Sequence, residues 1–129
     1  MMRPWEQLAQ ALEPVEGEPE ANIYPAFAEG DLVAPAIVLA PDDPWMEPHA
    51  YGYDQERYVA VAAVKASAGS LSGVEDLYQL VRHILRRASS IEGVAYEDVS
   101  APVIDTTTGT PFLAVRVRLT YRNCDEEES

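Results

Sequence analysis

The sequence predicts an α+β fold in which a mostly antiparallel sheet packs against one long amphipathic helix and a short N-terminal helix. Two apolar segments, 32–40 and 57–67, have the length and composition of strands. Residues 73–90 repeat apolar side chains at helical spacing, and residues 112–122 alternate strictly between apolar and polar. The chain contains no repeated strand–helix units, so a parallel α/β sheet is not expected.

The first element is a short helix over residues 5–12. Its apolar face is formed by Trp5, Leu8, Ala9 and Leu12. Pro4 suits the first turn, where a backbone N–H is not needed. Residues 13–20 then form an acidic connector that is rich in proline, and residues 22–24 form a short extended piece.

Two strands follow, separated by a predicted loop. Residues 32–40 are almost continuously apolar, as in a buried strand, and Pro35 must lie near the start or on an edge because it cannot donate to the ladder. Residues 41–56 contain three prolines and are expected to form a long loop. Residues 57–67 are apolar in both alternating sets up to Lys65, which predicts a central strand covered on both faces.

The segment 73–90 predicts the long helix. Its apolar stripe consists of Val74, Leu77, Leu80, Val81, Ile84, Leu85 and Ala88. Ser72 and Glu75 have the spacing of a capping box at its start. Basic residues crowd its last turns and complement the helix dipole, and His83 is expected on its polar side.

The C-terminal third predicts strand structure. Residues 93–99 form a strand, residues 101–111 a loop or hairpin arm, and residues 112–122 a strand with one buried face. The buried face is expected to hold Val115, Val117, Leu119 and Tyr121, and the opposite face Arg116, Arg118, Thr120 and Arg122.

Charge is unevenly distributed along the 129 residues, whose net charge is −13. Residues 1–56 hold twelve acidic residues and one basic residue, whereas residues 57–124 hold six acidic and eight basic residues. This balance argues against sequence-specific DNA binding, which needs clustered Lys and Arg. We expect one domain over residues 1–124 and a disordered acidic tail over 125–129.

The sequence contains no signal-peptide pattern, no apolar run long enough to cross a membrane, and one cysteine, Cys124. These features favour a reducing cytoplasm. No glycine-rich phosphate loop, paired-cysteine motif or nucleophile elbow occurs, so we expect no enzyme activity and no cofactor. One group of possible cation ligands lacks the spacing of a known motif and is better explained as a solvated loop: Asp42, Asp43, Glu47, His49 and Asp54.

Two sets of residues are candidates for contacts with other subunits. The first is the arginine face of the last strand, formed by Arg116, Arg118 and Arg122, which either is a solvated face that guards against aggregation or pairs with acidic residues of another copy. The second is the contact segment Trp45, Met46, Tyr51 and Tyr53, which either folds back onto the sheet or anchors a protein partner.

The order of these elements resembles that of the tail terminator and related neck (head–tail joining) proteins of long-tailed bacteriophages. The resemblance rests on the order of these elements: the helix 5–12, Ile23-Tyr24-Pro25, the proline-containing strand 34–38, the loop rich in proline and tyrosine, the strand 58–62, the long helix and the closing strand 112–121. It implies a subunit of a homohexameric ring that caps the tail tube, ends tube growth and joins the tube to the head–tail connector proteins. It also implies a place in the virion neck after assembly in the host cytoplasm.

Genomic DNA is expected to pass through such a ring without being bound in a sequence-specific way, and an acidic lumen would let it slide. The family provides no shared catalytic residues, so the candidate interfaces are the arginine face, the contact segment and the arm around 103–110. Two alternatives remain open. One is a head-completion or connector-adaptor ring of the same neck, and the other is an acidic DNA mimic that inhibits a DNA-binding protein.

Overall fold

The computed structural model describes residues 3–18, 20–24, 33–49, 53–65, 71–105 and 111–124. In these residues the elements are α1 (Pro4–Leu12), β1 (Asn22–Tyr24), β2 (Ala36–His49), β3 (Tyr53–Lys65), α2 (Leu71–Ser89), β4 (Val94–Val99), β5 (Val103–Asp105) and β6 (Phe112–Cys124). The predicted α+β class is confirmed. The predicted acidic tail lies outside the described residues.

The described strands form one mixed sheet in the order β1-β2-β3-β6-β4, and β5 pairs with β6 beyond the end of β4. β1 runs parallel to β2, whereas the other pairs are antiparallel. β3 and β6 pair over thirteen positions, from Tyr53–Cys124 to Lys65–Phe112. This long central pair gives the sheet a continuous surface on which both helices pack.

Both helices cover the same face of the sheet. α2 contacts β3, β4 and β6, and α1 contacts α2 and the β1–β2 edge. The helices contribute Leu8, Leu12, Leu77, Leu80, Ile84 and Ala88 to the core. The strands contribute Ile37, Leu39, Tyr58, Ala60, Ala62, Val64, Val115, Val117 and Leu119. The apolar positions predicted from the two periodicities therefore meet in one core, except Val74, which is 45% exposed.

The predicted loop at 41–56 is wrong for the described residues. β2 continues to His49 and β3 begins at Tyr53, so most of the segment forms the two arms of a hairpin. The pairing shifts its register between Pro41 and Met46. β1 covers only the first three residues of β2, so the rest of β2 is an edge of the described sheet. Prolines are tolerated in edge strands where the missing N–H would point away from the sheet.

The ends of α2 also differ from expectation. The helix begins at Leu71, so Ser72 lies inside it and the predicted capping box with Glu75 is wrong.

After the helix, the turn into β4 ends at Gly93, whose φ is +88°. A Cβ atom at this position would lie 3.3 Å from the carbonyl oxygen of Arg122. The turn therefore requires glycine for both its backbone angle and its close approach to β6.

Candidate assembly surfaces

The predicted arginine face lies on the side of the sheet opposite the helices. β6 alternates as expected, because Val115, Val117 and Leu119 are buried whereas Arg116, Arg118 and Arg122 are exposed. The prediction that β3 is covered on both faces is wrong in part. Among the described elements, helices cover only the face with Tyr58 and Ala60, and Val59 and Val61 on the other face remain half-buried.

Arg118 lies between a carboxylate of the adjacent strand β4 and a carboxylate of β2, which is separated from β6 by β3. Its Nε atom is 3.8 Å from Oδ2 of Asp42 and 3.9 Å from Oδ1 of Asp98. A third ion pair on this face joins Arg57 to Glu97 at 2.8 Å. The centre of the arginine face is thus partly neutralised within the chain, and exposed pairs of this kind stabilise a fold only weakly.

Arg116 differs from Arg118 in its surroundings. It is exposed, and in the described part of the chain its guanidinium forms no ion pair. Its register partner on β3 is Val61, which packs against a small apolar cluster of Ala63, Phe112 and Ala114. Those three residues are buried, so Arg116 is an exposed cation beside an apolar cluster that is already covered.

The contact segment is described only in part. Trp45 is 40% exposed and Met46 is 52% exposed, and both lie on β2 instead of in a loop. The ring of Trp45 contacts that of Trp5 on α1, with centroids 6.4 Å apart and planes tilted by 56°. Trp45 thus folds back onto the helix layer and still keeps an accessible surface. Tyr51 and the side chain of Tyr53 lie outside the described residues.

An apolar groove that the sequence did not predict lies between α2 and the sheet edge where β4 ends. The groove has a volume of about 190 Å³ and is lined mainly by apolar residues, including Val74, Tyr78, Val81, Val99 and Pro102. β5 itself, part of the arm predicted at 103–110, is exposed at Val103 and Ile104. The sequence feature that could have indicated this groove is Tyr78, an aromatic residue that lies on α2 outside the stripe of core residues.

His83 does not lie on the solvated side of α2, as the sequence suggested. Its side chain is completely buried against α1, with Nε2 2.7 Å from the carbonyl oxygen of Leu12. Because a carbonyl oxygen only accepts, Nε2 carries the hydrogen. Nδ1 has no hydrogen-bond partner in the described residues and lies 3.9 Å from Oε2 of Glu18.

Glu18 connects this histidine to the end of α2. Its carboxylate accepts hydrogen bonds from both Nε and Nη2 of Arg87, the former at 3.1 Å. These bonds, with a further bond from the Val15 N–H, hold the pKa of Glu18 below its ordinary value of 4.5. The acidic connector is thereby attached to α2 through Glu18, which the sequence presented only as one of several solvated acids.

A second buried polar pair lies on β3. The Tyr58 hydroxyl donates to Oε1 of Glu56 at 2.5 Å. Burial, followed by the neighbouring carboxylate, raises the pKa of Tyr58 above its ordinary value. The phenol therefore stays protonated at neutral pH and acts as a structural donor.

The described residues include no group of three or more His, Cys, Asp or Glu side chains that is arranged to hold a metal ion. Of the possible cation ligands in the sequence, Asp42 lies near Arg118, and the side chains of Glu47, His49 and Asp54 lie outside the described part. Among the described helices, none is long and apolar enough to span a membrane.

No protein-family model matches the sequence, and no curated protein matches it.

Proposed function

We propose that this chain is a non-enzymatic virion assembly protein, a tail terminator that forms a homohexameric ring at the end of a phage tail tube. The ring would stop tube growth and join the tube to the head–tail connector proteins. The observation that carries the proposal is the sheet face that no described helix covers, on which Arg116, Arg118 and Arg122 are exposed.

A ring requires two different surfaces on each subunit that fit one another head to tail. The arginine face provides one. The acidic connector provides a surface of opposite charge, because Glu13, Glu16 and Glu20 are exposed in it. The connector follows α1 on the helix side of the sheet, so the two surfaces lie apart on one subunit, as a closed ring needs.

Two further features support the proposal. The first is the order of helices and strands, which resembles the order in tail terminators. The second is the pair Trp45 and Met46, which provides exposed apolar anchors at the β2 edge for the tube or the connector. The net charge of −13 would favour passage of DNA through the ring, since a negative lumen repels phosphate.

The same surfaces fit a head-completion or connector-adaptor ring, which is the nearest alternative. The charge of −13 on a small chain also favours an acidic DNA mimic. A mimic would act as a monomer or dimer bound to a basic protein, whereas the proposed function requires a ring on the tail.

The test is a stop codon early in the gene in a phage that carries it, with particles imaged by negative stain. A terminator predicts overlong, headless tails beside filled heads, and complementation with the wild-type chain restores normal particles. Tails of normal length that fail to join heads would instead indicate the connector-adaptor function. Normal particles would contradict a role in the virion and favour the DNA mimic.

A further inference from the structure

The helix side of one sheet edge carries a row of exposed apolar side chains. On α2 the row begins with Val74 and Tyr78, which are 45% and 58% exposed. It continues with Tyr96 at 52%, Val99 at 39% and Ile104 at 66% on the edge strands. The register partners of the last three residues on β6 all pack in the core, so these side chains face the helix side. Val74, Tyr78 and Val99 line one groove, and contiguous apolar surface of this kind marks a contact site.

The edge is poorly suited to adding another strand. Its register is interrupted between Tyr96 and Asp98, and Pro102 lacks a backbone N–H. Bulges, charges and prolines are the devices that protect edge strands from pairing. An occupant of the groove between α2 and this edge therefore docks through side chains, as a helix does, and not through backbone hydrogen bonds.

The charges beside the groove indicate which helix fits. Glu75 precedes Tyr78 by one turn of α2, and Arg82 follows it by one turn, so the three side chains share one ridge. Glu75 and Arg82 are exposed, and neither forms an ion pair in the part of the chain that the structure describes. The ridge thus has an acidic end, an aromatic centre and a basic end.

From this pattern we propose that a second copy of the chain docks here, with the two α2 helices antiparallel across a two-fold axis near Tyr78. In that arrangement Glu75 of each copy faces Arg82 of the other, and the two Tyr78 side chains meet over the apolar row. A two-fold contact is self-complementary and closes at two copies. The inference does not depend on the proposed function, because free copies form this contact in solution.

Sedimentation equilibrium of the full chain at neutral pH, from about 1 µM to about 1 mM, tests the proposal. We expect a monomer–dimer equilibrium. Glu75→Arg and Arg82→Glu should each weaken the dimer by about tenfold, since each places like charges together at both symmetry-related pairs. The double variant restores opposite charges and should recover most of the affinity. Asp76→Arg, an adjacent exposed residue on another side of α2, is the matched control and should change it little.

Three results would overturn the proposal. They are a monomer over the whole concentration range, a larger oligomer in place of the dimer, and a dimer that both single reversals leave unchanged. Tyr78→Ser provides a second route to the same conclusion, because it removes apolar contact without changing charge and should also weaken the dimer. A folded Tyr78→Ser variant with wild-type affinity would place the contact elsewhere. If the chain forms the dimer in solution but no ring on tails, the proposed function is contradicted and the dimer proposal is not.

Discussion

The Nε2 atom of His83 on α2 lies 2.7 Å from the carbonyl oxygen of Leu12 on α1, a residue 71 positions away in sequence. Leu12 is the last residue of α1, so its carbonyl has no partner within that helix. The histidine therefore acts as a C-terminal cap supplied by α2. This contact ties the C-terminal end of α1 to α2 at the point where the acidic connector begins.

His83→Ala should lower the free energy of unfolding by about 2–3 kcal/mol, because it leaves a buried carbonyl without a donor and creates a cavity. Urea unfolding followed by circular dichroism measures this change. Gln79→Ala, at an exposed position of the same helix, should alter stability by no more than about 0.5 kcal/mol. Equal losses in the two variants would contradict the role of His83 as a cap.

Glu18→Gln should change how stability depends on pH. Because the folded-state pKa of Glu18 lies below 4.5, its ion pair with Arg87 stabilises the native chain above about pH 4.5 and is lost as the pH falls through the folded-state pKa. The stability gap between wild type and Glu18→Gln should thus be present at pH 7 and shrink at acid pH. Urea unfolding at several pH values measures it.

Glu16→Gln is the matched control for Glu18→Gln. Glu16 lies in the same connector and is exposed, and within the described residues it makes no ion pair. Its replacement should leave stability at pH 7 unchanged. If both variants lost the same stability at pH 7, general charge reduction and not the Arg87 pair would be the cause.

The sequence predicted those elements whose side chains have one packing partner. The stripe of α2 and the alternation of β6 each face the common core, so their periodicity identifies most of the buried residues, with Val74 as an exposed exception. The burial of His83 was not predicted because this residue faces a second partner, α1, whose position is set by tertiary packing. The same holds for Glu18, which looks like its acidic neighbours until the fold brings Arg87 beside it.

The hairpin formed by β2 and β3 was missed for a different reason. Pro41, Pro44 and Pro48 are strong loop signals, yet an edge strand tolerates proline. Whether a strand lies at an edge depends on the order of the whole sheet, which local sequence does not contain. The groove beside Tyr78 could not be predicted from local sequence either, because it forms only where α2 lies over the end of β4.

Leu80→Ala or Ile84→Ala should each lower the free energy of unfolding by roughly 2–5 kcal/mol through cavities in the core. Both side chains are buried where α2 meets the sheet. Val33→Ala, at a residue 59% exposed, is the control and should have a much smaller effect. A melting temperature within a degree of wild type for Leu80→Ala would mean that α2 does not pack through this face.

The double substitution Arg116→Glu and Arg118→Glu should leave the fold intact and abolish ring assembly. Both side chains face away from the core, so the melting temperature should fall by no more than about 5 °C, chiefly from the loss of the Arg118 contacts with Asp42 and Asp98. The proposed contact with acidic residues of a neighbouring subunit would become repulsive. Complementation of the stop-codon phage should then yield overlong tails.

The control for this double variant is Arg3→Glu with Arg86→Glu, which changes the net charge equally at two exposed positions on the helix side of the sheet, away from the arginine face. It should complement the phage as wild type does, because the repulsion is local and not a consequence of total charge. Global unfolding of the Arg116→Glu and Arg118→Glu variant would contradict the assigned orientation of β6. Normal tails made by a folded variant would show that the ring contact uses another surface, and equal failure of both variants would attribute the defect to net charge.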